Sequence, residues 1–143
     1  MARVDFAFGA QEKLSQACQT TLRQFLAGQK IVVYCSDLSR LKAFDLKLWA
    51  VDDAAFVPHV MADDPLAPKT PIVMVHQNLE QALSNAPADA WLLNLDNEAP
   101  ASLGAVSRVL EIVSDDEDDK TAARARWRCY QAAGHDVRSH RLG

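Results

Sequence analysis

Apolar residues along the chain alternate between two spacings, one suited to strands and one to helices. Arg3 to Phe8 is rich in β-branched and aromatic residues and ends at Gly9, which predicts a short strand. From Gln11 to Ala27 the apolar positions are Leu14, Ala17, Cys18, Leu22, Phe25 and Leu26, with Gly28 after them. That is helical spacing closed by a C-terminal glycine. Lys30 to Cys35 (KIVVYC) is continuously apolar, as in a strand covered on both faces. Ser36 or Asp37 caps a helix to about Trp49, with Leu38, Leu41, Phe44, Leu48 and Trp49 as its apolar positions. An irregular stretch follows, because Asp52, Asp53, Pro58, Asp63, Asp64, Pro65, Pro68 and Pro71 exclude a long regular element. Pro71 to His76 and Trp91 to Leu95 read as two further strands, with a short helix over Gln77 to Ser84 between them. Ser102 opens a predicted helix to Val113, on the spacing of Leu103, Val106, Val109, Leu110 and Val113. Asp118 or Asp119 caps a last helix to about Ala133, ended by Gly134, and His135 to Ser139 predicts a final short strand.

Strands alternating with helices imply βαβ units with right-handed crossovers. The expected fold is a single three-layer α/β domain over residues 1–143, with a mainly parallel sheet, Rossmann-like in architecture. The length suits one domain that buries a core without disulfide or metal staples. Three cysteines, Cys18, Cys35 and Cys129, lie far apart with no CxxC pair, so they read as small buried hydrophobes. No apolar run is long enough to span a membrane, and the N-terminus lacks a signal-peptide pattern, which points to the cytoplasm.

Chemistry is sparse. The five glycines do not form GxGxxG or GxxxxGK[ST], so no nucleotide-binding loop and no dinucleotide or NTP cofactor is expected. His59, His76, His135 and His140 are scattered and have no cysteine or histidine at metal-ligand spacing. No GxSxG elbow is present. The chain therefore reads as a protein without a catalytic site, a cofactor or a metal.

Charge is more informative in its distribution than in its sum of −4. Asp115, Asp116, Glu117, Asp118 and Asp119 form an acidic run, read as a solvated helix start. After it come Lys120, Arg124, Arg126, Arg128, Arg138 and Arg141 against a single Asp136. Lys120, Arg124 and Arg128 recur every fourth residue and share one helical face, with Trp127 beside them and Gln131 one turn further on. The row is either a receptor for an acidic peptide with a bulky apolar end, or a solvated basic face with Trp127 in the core. The aromatics around Leu48-Trp49 and Phe56-Val57-Pro58-His59 either fold back onto the core or form an exposed partner surface. The net negative charge and the absence of a continuous basic and aromatic stripe predict weak direct affinity for single-stranded DNA.

The string Asp45-Leu-Lys-Leu-Trp49, a spacer and Phe56-Val57-Pro58-His59 is similar to the chi subunit family of bacterial DNA polymerase III. So is the C-terminal pattern Lys120, Arg124, Trp127, Arg128, Tyr130 and Gly134. The resemblance implies a Rossmann-like fold without nucleotide and a heterodimer with the psi subunit that ties the chain to the clamp loader. It also implies binding of the acidic C-terminal tail of single-stranded DNA-binding protein (SSB), so that DNA is reached only indirectly, and a replisome-associated place in the cell. On this resemblance Lys120, Arg124, Trp127 and Arg128 match the tail-binding residues, with Gln131 extending the row. Leu48, Trp49, Phe56, Val57, Pro58 and His59 fall in the psi-contact segment. Trp127 stands where the family often has Tyr, and Gln131 where a basic residue can occur. Two rival readings are a non-replicative α/β adaptor for acidic peptides and an α/β enzyme with an unrecognised site.

Overall fold

A computed structural model of the chain describes residues 1–142 apart from positions 53 and 55. Seven strands form one sheet: β1 (Arg3–Ala10), β2 (Ile31–Tyr34), β3 (His59–Met61), β4 (Ile72–Val75), β5 (Trp91–Asn94), β6 (Arg108–Ser114) and β7 (Asp136–Arg141). Four helices connect them: α1 (Lys13–Leu26), α2 (Leu38–Trp49), α3 (Leu79–Asn85) and α4 (Glu117–Ala132). The strand order is β3-β4-β2-β5-β6-β1-β7, and every pairing is parallel. The three-layer α/β architecture expected from the sequence is present, with a sheet that is wholly rather than mainly parallel.

The chain first crosses the sheet in one direction, β1 to β2 to β3, with α1 and α2 on one face. It returns through β4, β5, β6 and β7 with α3 and α4 on the other. Right-handed crossovers require this change of face when the direction reverses. Ala17, Cys18, Leu22, Leu41, Phe44 and Leu48 of α1 and α2 pack on Ile31, Val33, Ile72, Leu93, Leu110 and Ile112. Leu83 and Leu103, with Ala123 and Tyr130 of α4, pack on Val4, Phe6, Val32, Leu92, Val109 and Val113. Successive strand residues thus feed opposite cores, which is why β2 reads as continuously apolar.

Capping fixes the helix starts. Glu12 caps α1 through Leu14 N and Ser15 N, and Asp37 caps α2 through Ser39 N and Arg40 N. Asp116 caps α4 by accepting from the Asp118 and Asp119 amides, so α4 starts earlier than Asp118 or Asp119 as cap would place it. At its other end, Gly134 has φ 87°, its N–H donates to Gln131 O, and His135 N–H donates to Tyr130 O. This paired closure needs a left-handed residue and turns the chain directly into β7.

The helix predicted from Ser102 to Val113 is not formed. Residues 108–114 are strand β6, between β5 and β1, and Val109 to Ser114 are all buried. The apolar residues of Arg108–Ser114 are β-branched or Leu and face both cores, so a central strand wins over the helical reading of the same spacing. The irregular stretch after α2 contains the short edge strand β3 and one turn of 3-10 helix at Ala67–Lys69. Cys18 and Cys35 are buried as expected, but Cys129 is exposed on α4. Burial pushes the Cys18 thiol up to about 12, so it is a packing group.

Candidate functional site

Two surface patches gather the residues singled out in the sequence, and the sheet sets them at opposite edges. One lies on α2 and the start of β3, the other on α4 beside β7. β3 and β7 are six strand spacings apart, roughly 29 Å at about 4.8 Å per spacing.

On α4, Ala123, Arg126 and Tyr130 face the sheet. Trp127 lies next to them and is half-buried, its ring 5.2 Å from that of Phe6 on β1. Lys120, Arg124 and Gln131 follow on the same flank of the helix, and Arg128 stands further out. Arg124, Arg128 and Gln131 are exposed; Lys120 is half-exposed, with Nζ 3.5 Å from Glu117 Oε1. Arg124 and Arg128 make no ion pair or hydrogen bond with another side chain among the described residues. Trp127 therefore packs one side on the core and leaves the rest beside the free cations.

On α2, Leu48 is buried while Trp49, one residue on, is 53% exposed. The Trp49 ring lies 5.3 Å from Phe56 and 4.5 Å from His59. Phe56 is 63% exposed, Pro58 half-buried, and Val57 and His59 buried. His59 is fixed by Nδ1, 2.6 Å from Val57 O, and Nε2 lies 2.8 Å from Asp45 Oδ1 without the alignment of a hydrogen bond. Leu48, Val57 and His59 thus lie beneath the segment, and its outward side chains are Trp49, Phe56 and the half-buried Pro58. Leu46 joins that set at 71% exposed and went unnoticed in the sequence. Its signal is phase: Leu41, Phe44 and Leu48 share the inner face of α2, and Leu46 does not.

A buried polar cluster holds α4 to the sheet. Arg126 Nε donates to Glu111 Oε1 at 2.9 Å, and Tyr130 and Asn94 donate to Oε2 at 2.6 and 2.8 Å. Burial pushes the Glu111 carboxyl above its usual range, against the pull of Arg126, Tyr130 and Asn94. Burial also pushes the Tyr130 hydroxyl up, and the neighbouring Glu111 carboxylate pushes it further. Because Arg126 sits on the inner face, the basic row of α4 is Lys120, Arg124 and Arg128 without it. At the start of the helix Asp119 bonds Lys13 Nζ at 3.1 Å and the Ser114 amide and hydroxyl at 2.7 and 2.9 Å. Burial works against ionisation of Asp119, but the Ser114 and Lys13 donors outweigh it and hold the carboxyl below its usual range.

A carboxyl depressed by folding contributes stability above its unfolded pKa, near 3.9, and loses it as pH falls through the lower folded value. The thermal midpoint of the wild type should therefore fall below about pH 4. Asp119→Asn should be less stable than wild type at pH 7, with the gap closing toward pH 2. A gap that stays constant in scanning calorimetry across that range would refute the assignment.

Fold and surface together define a class: an α/β domain with a half-exposed aromatic patch at one sheet edge and a cationic helix face near the other. Within the class the chain belongs to the DNA polymerase III chi subunit family. The sequence model described as "DNA polymerase III chi subunit, HolC" matches residues 1–138. The chain is 28% identical to the DNA polymerase III subunit chi of Pseudomonas aeruginosa, over 99% of this chain and 98% of that protein. It is 25% identical to that of Haemophilus influenzae over 89% of this chain and 85% of the relative, and 24% identical to that of Escherichia coli K12 over 84% and 79%. As a chi-family chain it is an accessory subunit of the polymerase holoenzyme. No helix among the described residues is long and apolar enough to cross a membrane.

Proposed function

We propose that this chi-family chain is a non-catalytic adaptor of the replisome in the cytoplasm. Its α4 face takes the acidic C-terminal tail of SSB, and its α2–β3 patch takes the psi subunit of the clamp loader. DNA is contacted only through SSB. The observation that carries the reading is the pair Arg124 and Arg128, exposed and without carboxylate partners among the described residues, beside the half-buried Trp127. A tail that is acidic and ends in an apolar residue with a free carboxylate needs cations along its length and an apolar wall at its end. Lys120 to Arg128 spans about 12 Å at 1.5 Å per residue, and Trp127 supplies the wall. Arg grips a carboxylate with two parallel hydrogen bonds, so Arg124 and Arg128 anchor better than Lys120. Placement on opposite sheet edges leaves room for both partners at once.

The test is titration of a labelled acidic tail peptide against wild type and Arg128→Ala. Wild type should bind in the micromolar range, more weakly as salt rises, because the ion pairs are solvated and screened over about 8 Å. Arg128→Ala should bind at least about tenfold more weakly, with unfolding free energy within about 0.5 kcal/mol of wild type. Equal affinities would remove the helix from the mechanism.

A further inference from the structure

β7 is an edge strand, paired with β1 on one side only. Asp136 N–H donates to Ala2 O and Leu142 N–H to Phe8 O, so even-numbered residues point their backbone groups inward. Val137, Ser139 and Arg141 therefore turn their N–H and C=O groups outward, away from β1. An uncovered row of this kind is a template for another strand. Basic side chains stand along it on both faces of the sheet. On the α4 side Arg141 lies over the half-buried Phe8 ring at 5.6 Å, and Arg124 is exposed on the flank of α4 that carries Trp127. On the other side stand Arg138, which pairs with Asp136 within the strand, and His140, whose Nε2 is 2.7 Å from Asp5 Oδ1. Asp5 is 4% exposed and also binds Arg3 and Arg108, so its charge is covered by cations. The side chains of an added strand alternate between the two faces. An acidic chain laid here thus meets Arg141 on the α4 side and Arg138, in its pair with Asp136, on the other.

We propose that the acidic peptide bound by this protein docks as an eighth, extended strand on the free edge of β7, with Arg141 as an additional anchor opposite Arg124. The proposal rests on the tail-binding reading and adds the backbone to it. Main-chain bonds supply affinity without demanding a particular sequence, and the flanking cations select acidic residues. Trp127, Phe8 and Val137 form the apolar strip between helix and edge strand.

The probe is a synthetic aspartate-rich peptide ending in an apolar residue with a free carboxylate. It is titrated against the full chain in three forms: unmodified, and N-methylated at either of the two alternate sets of amides. One N-methylated set should bind about tenfold more weakly and the other within about twofold, because only alternate N–H groups face β7. Arg141→Ala should weaken the unmodified peptide about fivefold. Ser139→Pro, which removes an outward N–H that β1 does not use, should weaken it about tenfold while the chain stays folded by circular dichroism. Equal binding of the two N-methylated sets, or unchanged affinity in Arg141→Ala, overturns strand addition. Loss of binding in Arg128→Ala together with equal binding of the two sets leaves the helix site standing and removes only this proposal. Indifference to Arg128→Ala removes the tail-binding reading itself.

Discussion

Arg126→Leu should lower the unfolding free energy by about 3–5 kcal/mol, the cost of leaving a buried charge unpaired. Glu111 and Arg126 are 0% and 1% exposed, so the guanidinium, not solvent, is what faces Oε1 in the folded chain. Tyr130 and Asn94 would still donate to Oε2, but Oε1 would lose the Arg126 donor. Arg126 Nη1 also donates to Asn97 O at 3.2 Å, so the loop after β5 loosens as well. At about 3 °C per kcal/mol for a chain of this length, the thermal midpoint should fall by about 9–15 °C. The double variant Arg126→Leu/Glu111→Leu should recover only part of the loss, since it removes the unpaired carboxyl but leaves the buried Tyr130 and Asn94 donors without that acceptor. Urea denaturation of the three proteins decides it. A loss below about 1 kcal/mol in Arg126→Leu would mean that Glu111 takes up a proton or is reached by water once its partner is gone.

The same cluster marks where the sequence was legible and where it was not. Elements with one dominant period were readable: α1 and α2 from their apolar stripes, β2 from its unbroken run, and the end of α4 from Gly134. β6 was not, because Val109, Leu110 and Val113 fit a helical face as well as a strand between two cores. Neither Glu111 in an apolar run nor Arg126 in a basic helix reveals its partner, since the two are 15 residues apart and meet only through tertiary packing. The outward row of α4 was legible because spacing by four is a local property of a helix. The α2–β3 segment was legible as a segment but not residue by residue. Leu48 and Trp49 are adjacent in sequence, yet one is core and the other surface, and only the phase set by Leu41 and Phe44 separates them. The edge position of β7 depends on the order of all seven strands, which no local pattern encodes.

Phe56→Ala should weaken the complex with the partner proposed for the α2–β3 patch by about 2 kcal/mol or more, roughly thirtyfold in Kd. Leu46, Trp49 and Phe56 are each more than half exposed, and the Trp49 ring joins Phe56 to His59. Large apolar side chains grouped on one surface gain when a partner removes them from water, at roughly 25 cal/mol per Å². Aromatic anchors near the centre of such a patch carry most of the binding energy. Exposure also limits what Phe56 contributes to the isolated fold, so Phe56→Ala should leave unfolding free energy within about 0.5 kcal/mol of wild type. Val57→Ala, one residue on, should show the opposite signature. Val57 is 2% exposed and packs in the α1–α2 core, so its truncation should cost stability, on the order of 2 kcal/mol. Calorimetric titration of the purified partner against wild type and Phe56→Ala, with urea melts of both variants, separates the two roles. Unchanged affinity in Phe56→Ala would move the partner off this patch. A destabilisation as large as that of Val57→Ala would make Phe56 a structural residue.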